Sequence, residues 1–109
     1  MSETPTSVIS TIEKVSDITA QNIADYLRIA ELTTEDESYI TTTIDVAKDY
    51  ILKYTGIADK ETLDNYKDMI IVVFVLCQDM YDTRALYVDN SNVNRVVENI
   101  LGLHQRNLL

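Results

Sequence analysis

Residues 60–83 constrain the fold of this chain more than any other segment. Apolar side chains recur there at helical spacing, and nine consecutive apolar residues run from Met69 to Cys77. The β-branched run 70–73 could form a buried strand, but the helical spacing continues on both sides and no second strand candidate exists to pair with it. The pattern therefore predicts one long helix over 60–83 that is apolar nearly all round.

Such a helix must be covered on nearly every side, and a small domain has few elements that can do this. The sequence therefore predicts that copies of the chain associate with one another. The candidate subunit interface comprises side chains of this helix and one tyrosine of the helix before it: Met69, Val72, Phe74, Val75, Leu76 and Tyr50.

The segment 35–54 is predicted to form the second long helix, antiparallel to the first. Thr34 to Glu37 matches a capping box, and the three acidic residues there suit the positive end of a helix dipole. An apolar stripe follows at steps of three and four residues. Gly56 stands where a left-handed C-terminal cap favours glycine. The stripe consists of Ile40, Ile44, Ala47, Ile51 and Tyr54.

Two shorter helices are predicted at 19–27 and 93–101. Thr19 is a candidate N-cap for the first helix, and Gly102 is expected to end the second. Residues 86–92 are predicted to form a loop. The chain has only two glycines and one proline, too few for the many turns of a β-sandwich. The predicted fold class is all-α: a small four-helix domain dominated by the two long antiparallel helices.

The chain is predicted to divide into three parts. Residues 1–17, rich in Ser and Thr, are expected to be a mobile N-terminal arm, with a short helix as the alternative. Residues 18–103 form the helical domain. Residues 104–109 form a C-terminal tail that either frays or docks on a partner, and its candidate docking residues are Leu103, Leu108 and Leu109.

The charge balance disfavours several classes of partner. Eighteen acidic residues against nine basic ones give a net charge of −9, and the basic residues are scattered singly. Specific nucleic-acid binding and contact with anionic lipid are therefore disfavoured. The longest apolar run is too short to span a membrane, and the N-terminus lacks the pattern of a signal peptide. We expect an intracellular protein with no membrane partner.

The sequence offers little catalytic chemistry. It contains one cysteine, Cys77, which lies within the apolar run and is expected to be buried, and one histidine, His104, close to the C-terminus. No phosphate-binding loop, nucleophile elbow or metalloprotease motif is present. We therefore predict no enzyme, no catalytic, metal-binding or cofactor-binding residue, and no cofactor. A metal-dependent helical enzyme is a remote alternative, because the Glu-x-x-His motifs of di-iron bundles are missing.

Four segments in order resemble the head–tail connector (adaptor, head-completion) family of tailed bacteriophages. The first is Ala24 to Ile29, with the letters ADYLRI, and the second is the acidic helix start Glu35 to Glu37. The third runs from Ile44 to Gly56 and contains the pattern A-x-x-Y-I-x-x-Y-T-G. The last is Met80 to Arg84, where a long apolar helix ends. The resemblance covers about residues 18–103.

The resemblance implies a structural role without catalysis. Members of the family are helical, assemble as a ring beneath the portal protein, and extend the DNA channel toward the tail. The implied partners are other copies of the chain in a ring, twelve-fold by analogy with the portal, together with the portal protein and a tail-side completion protein. DNA would pass through without specific binding, and the implied location is the head–tail junction of the virion, reached from the host cytoplasm during assembly.

A second interpretation belongs to another class of protein. A small acidic helical regulator, such as an anti-repressor or a DNA mimic, would occupy a basic partner protein. Such a mimic needs its acidic side chains in a stripe with phosphate-like spacing. Here the acidic residues are spread over all the predicted helices. The connector therefore remains the leading interpretation.

Overall fold

The computed structural model of the chain describes residues 9, 11–88 and 95–107. Four α-helices have defined bounds in these ranges: α1 (Ala20–Tyr26), α2 (Thr34–Thr55), α3 (Asp68–Thr83) and α4 (Arg95–Asn107). Two 3₁₀ helices, Val15–Asp17 and Lys60–Asn65, precede α1 and α3, and the described residues contain no strand. The predicted all-α fold class is confirmed.

Helix α2 matches its predicted bounds to within a residue at each end. The hydroxyl of Thr33 accepts a hydrogen bond from the backbone N–H of Asp36, so the N-cap lies one residue earlier than the predicted capping box. At the other end, Gly56 adopts a left-handed conformation with φ of 83° and donates its N–H to the carbonyl of Leu52. The predicted glycine cap is confirmed.

The predicted single helix over 60–83 is wrong in its first third. Residues 60–65 form a 3₁₀ helix, Tyr66 is extended, and the α-helix begins only at Asp68. The 3₁₀ helix packs against the other 3₁₀ helix, where the backbone N–H of Ser16 donates to the carboxylate of Asp64 over 2.8 Å. Over only six residues, the 3.0-residue period of a 3₁₀ helix and the 3.6-residue period of an α-helix place apolar side chains on nearly the same face. The sequence therefore could not show this break.

Helices α2 and α3 are antiparallel, as predicted. The hydroxyl of Tyr39, near the start of α2, lies 2.7 Å from the carbonyl oxygen of Ala85 and 3.0 Å from that of Met80, at the end of α3. Arg84 takes a left-handed conformation there, and Arg28 does the same after α1. The residue after each left-handed arginine donates its N–H back into the helix: Ile29 to the carbonyl of Ala24, and Ala85 to the carbonyl of Met80. These bonds satisfy carbonyls that the helix end leaves unpaired.

Helix α3 is the centre of the core. It contacts α1, α2, α4 and the first 3₁₀ helix, and eight of its sixteen residues are buried. The single chain therefore covers this helix on most of its surface. The prediction that α3 needs a second copy of the chain for cover is wrong, because the N-terminal 3₁₀ helix and α4 cover it within the same chain.

The prediction of a mobile N-terminal arm is also wrong, because part of this segment packs on the core. Ile12 and Val15 are only 5% and 1% exposed, and both belong to the hydrophobic core. The first 3₁₀ helix, Val15–Asp17, packs against α3 and the second 3₁₀ helix. Residues 1–8 and 10 of the predicted arm lie outside the described residues. Ile9 packs against the same core, so the apolar residues Ile9, Ile12 and Val15, which recur every three positions in the sequence, are core positions.

We expect the variant Ile12→Ala to lower the free energy of unfolding by about 2–4 kcal/mol, because it removes a buried aliphatic side chain and leaves a cavity. Chemical denaturation followed by circular dichroism measures this loss. The neighbouring exposed residue supplies the control, since Glu13→Ala should change stability by less than about 0.5 kcal/mol. Equal, small effects of the two variants would show that the segment does not pack on the core.

The last helix extends beyond its predicted end. Gly102 lies inside α4, which continues to Asn107 and so includes part of the predicted tail. Val97 and Leu101 are completely buried, and the helix packs on α2 and α3. These tertiary contacts outweigh the cost of about 1 kcal/mol for a glycine in a helix interior. Residues 93 and 94 of the predicted helix lie outside the described residues.

Candidate functional site

An open groove with aromatic and aliphatic walls lies between α2, the segment 86–88 and α4. It has a volume of about 430 Å³ and adjoins hollows of about 250 and 270 Å³ on either side. We name the groove, together with these two hollows, the aromatic groove. The part of about 430 Å³ is lined by Tyr50, Lys53, Tyr54, Val88 and Glu98. The hollow of about 250 Å³ adds Val46, Asp49, Leu86 and Tyr87, and the hollow of about 270 Å³ adds Asn99, Gly102 and Leu103 of α4.

The wall from α2 follows from the helical repeat. Ile44, Ala47 and Ile51 face the core, whereas Val46, Tyr50 and Lys53 recur at steps of four and three on another side of the same helix. The rings of Tyr50 and Tyr54 lie 6.0 Å apart at an angle of 48°. Their half-buried side chains give this wall a large apolar surface with polar edges.

The segment after α3 supplies the most exposed part of the groove. The left-handed Arg84 redirects the chain, and its guanidinium carbon lies 4.2 Å from the centre of the Tyr81 ring. The Ala85 carbonyl is held by the Tyr39 hydroxyl. Beyond this anchor, Leu86 and Tyr87 are 49% and 65% exposed. The fold thus presents two large hydrophobic side chains to solvent from a fixed point.

The charges around the groove partly cancel. The Asp49 carboxylate lies 3.4 Å from the Lys60 ammonium, and Lys53 lines the same groove as Glu98. Burial, followed by the nearby Tyr54 and Glu98, raises the pKa of Tyr50 above its usual value. The Tyr50 hydroxyl therefore remains protonated at physiological pH.

The predicted subunit interface is mostly wrong. Met69, Val72, Phe74 and Leu76 are between 0% and 2% exposed, so they form the core of one chain and cannot meet a neighbour. Helical periodicity identified them as apolar positions but could not show which element covers each one. The two remaining residues of that set are accessible: Val75 is half-buried on α3 and Tyr50 lines the aromatic groove.

One of the three predicted docking residues lies in the groove. Leu103 is 56% exposed and lies on its α4 wall, whereas Leu108 and Leu109 lie outside the described residues. Sequence reasoning missed Leu86 and Tyr87, although a signal was present. A leucine and a tyrosine stand next to each other between a helix end and a cluster of turn-forming residues, where a buried position is least expected.

His104 is held in place by contacts with other elements, although it lies near the C-terminus. Its Nε2 lies 2.9 and 3.0 Å from the two carboxylate oxygens of Asp68, and its side chain is only 12% exposed. The ring of Tyr66 meets the imidazole edge-on at a centroid distance of 4.5 Å. This arrangement ties the end of α4 to the start of α3.

We expect His104→Ala to destabilise the chain by about 1 kcal/mol, because it removes a side chain that is only 12% exposed, whereas the Asp68 carboxylate, at 45% exposed, can bind water instead. Hydrogen exchange should accelerate most in the second half of α4, which this contact anchors. Gln105→Ala, at the exposed next position, is the control and should leave exchange unchanged. Identical exchange in the two variants would contradict an anchoring role.

The described residues hold no group of three or more His, Cys, Asp and Glu side chains that could bind a metal ion. Within the described ranges, no helix is both long enough and apolar enough to cross a membrane. Comparisons with protein-family models, curated proteins and solved structures gave no match.

Proposed function

We propose that this chain is a non-enzymatic structural protein of a tailed-bacteriophage virion, a head–tail connector subunit. Copies would form a ring beneath the portal protein, extend the DNA channel and offer a docking surface to a tail-side completion protein. The observation that carries this proposal is the aromatic groove, because an exposed, tyrosine-rich apolar surface is typical of protein–protein contacts.

The positions of the resembling segments support the proposal. The segment Ala24 to Ile29 covers the end of α1 and its left-handed Arg28. The segment Ile44 to Gly56 supplies core residues of α2, residues that line the groove, and the glycine that caps the helix. Met80 to Arg84 forms the end of α3 against Tyr39. These three segments therefore lie at a helix end or along a wall of the groove, and the fourth, Glu35 to Glu37, forms the first turn of α2.

The net charge of −9 also suits a protein through which DNA slides. Like charges repel over roughly the Debye length, about 8 Å at physiological ionic strength, so the chain would not grip phosphates. A channel component needs this lack of affinity, whereas a DNA-binding protein needs the opposite.

The test is to mix the purified chain with its cognate portal protein and to examine the mixture by electron microscopy and co-sedimentation. We expect an additional ring of density on one face of the portal. A portal from an unrelated phage is the control and should gain no density. Absence of bound chain on its own portal, with the chain folded by circular dichroism, would contradict the proposal.

The acidic regulator remains the second candidate because acidic residues outnumber basic residues two to one. It predicts a monomer that binds a basic regulator or nuclease tightly and ignores the portal. Affinity measurements with both kinds of partner therefore distinguish the two functions.

A further inference from the structure

The chain has arginines at two positions where the backbone favours glycine. Arg28 and Arg84, which follow α1 and α3, have φ values of 62° and 57°. In this left-handed region a Cβ comes too close to the backbone, so helices that end there commonly use glycine. This chain does so at Gly56, after α2. An arginine at such a position strains the backbone, and strained residues cluster at functional sites.

The side chain of Arg84 is held in place although its hydrogen-bond donors are free. Its guanidinium carbon lies 4.2 Å from the centre of the Tyr81 ring, which Tyr39 meets edge-on at 6.1 Å. Burial raises the pKa of Tyr39, and the nearby charge of Arg84 opposes this effect. Arg84 is exposed, and none of the ion pairs among the described residues includes it. A fixed guanidinium is therefore open to a partner.

We propose that Arg84 is an anchor for a carboxylate of a partner protein. The N–H groups of a guanidinium form a fixed planar fork that matches the two oxygens of a carboxylate. Leu86 and Tyr87, exposed by 49% and 65%, follow within three residues. The complementary surface therefore carries an aspartate or glutamate beside apolar side chains. This inference rests on the proposed function for the identity of the partner, the portal protein or the tail-side completion protein.

A protein carboxylate suits this anchor better than a phosphate of a nucleic acid. Nucleic acids are bound by many cations acting together. This chain has a net charge of −9, and its basic residues are scattered singly, so one guanidinium cannot outweigh the repulsion. It can pair with one carboxylate on a mostly apolar surface, where arginine and tyrosine side chains supply much of the binding free energy.

Thermal unfolding tests whether this arginine serves folding or binding. Arg84→Gly removes the guanidinium but also relieves the strained backbone, so we expect a melting temperature equal to that of the natural chain or slightly higher. Arg84→Ala keeps the strain and should melt below Arg84→Gly. A fall of more than about 5 °C for Arg84→Gly would show that the side chain serves the fold and would overturn the anchor.

Acetate is the simplest carboxylate probe for the full chain. The nuclear magnetic resonance signals of the arginine Nε–H groups are followed as sodium acetate is added, with sodium chloride at equal ionic strength as the reference. Arg28 is the control, because it is exposed and left-handed but has no ring against its guanidinium among the described residues. We expect the Arg84 signal to shift at least about twice as far as that of Arg28. Equal shifts would overturn the anchor.

Affinity measurements with the cognate portal protein and the tail-side completion protein complete the test. Arg84→Gly should weaken one of the two interactions about 10- to 100-fold, as expected for the loss of a charge-assisted pair. Arg84→Lys should recover only part of the loss, because an ammonium group cannot bind both oxygens as a planar fork. Arg28→Gly, the matched control, should bind like the natural chain.

The two kinds of binding experiment separate the anchor from the proposed function. If neither protein binds the natural chain while acetate shifts the Arg84 signal selectively, the anchor is supported and the connector role is contradicted. If binding occurs but Arg84→Gly binds both proteins as tightly as the natural chain does, the anchor is overturned and the connector role stands.

Discussion

Val72→Asp should prevent the isolated chain from folding stably. Val72 is completely buried on α3, which α1, α2 and α4 surround. An unpaired carboxylate at such a position costs about 3–5 kcal/mol, a large part of the total stability of a small domain. For a chain of this size, that cost corresponds to a fall in melting temperature of roughly 12–30 °C. Thermal unfolding followed by circular dichroism measures it.

The preceding residue on the same helix supplies the matched control. Ile71 is 38% exposed, so the carboxylate of Ile71→Asp can stay in water and should cost less than about 1 kcal/mol. The comparison therefore tests burial rather than charge. A Val72→Asp variant that melts within a few degrees of the natural chain would show that this side of α3 faces solvent and that the described packing is wrong.

Cys77 should react with thiol reagents far more slowly than an exposed cysteine. Burial raises the pKa of its thiol to about 12, against a small opposing effect of the hydrogen bond with Thr43. Only the thiolate is nucleophilic, so at pH 8 its reactive fraction is lower by about 1,000-fold than that of a thiol with a pKa near 9. Absorbance during modification with a disulfide reagent measures the rate, and denaturant should restore fast reaction.

The control for this experiment carries Ile71→Cys in a Cys77→Ala background, which places one thiol on the exposed part of the same helix. That thiol should react at the rate of a small model compound. If Cys77 in the natural, folded chain reacts as fast as this control, then α3 opens readily or is not buried.

The same thiol makes the stability of the fold depend on alkaline pH. Its pKa in the folded chain, about 12, exceeds the value of 9.0 for an unperturbed thiol, so the unfolded chain loses this proton first. The contribution of the protonated Cys77 thiol to the free energy of unfolding is therefore fully present below about pH 9 and is lost as the pH rises toward 12. Denaturant unfolding at pH 8 and pH 11 should show a smaller loss of stability for Cys77→Ala than for the natural chain. An equal loss in both would assign the alkaline sensitivity to other groups, such as Tyr26 and Tyr39, whose pKa values burial also raises.

The sequence predicted the helices best where the signals were local. The bounds of α2 follow from a threonine cap, an acidic first turn, a regular apolar stripe and Gly56, all within one segment. Thr19 likewise caps α1 through reciprocal hydrogen bonds with Asn22. These contacts join residues at most four positions apart, so they can be inferred without knowledge of the rest of the chain.

The candidate site could not be predicted in the same way. The aromatic groove brings residues of α2 together with the segment 86–88 and α4, which come much later in the chain. Its exposed leucine and tyrosine owe their position to the left-handed Arg84 and to the Tyr39 hydroxyl, which holds Ala85 from 46 residues away. No periodic pattern encodes such an arrangement.

By itself, the sequence determined that the chain is helical, that α2 and α3 pair, and which side chains are apolar. The tertiary structure alone decided that α3 is covered within one chain, that Ile12 and Val15 belong to the core, and that α4 passes Gly102 to reach Asp68. The physical reason is that hydrophobic periodicity depends on neighbours along the chain, whereas burial depends on which distant elements exclude water from each face.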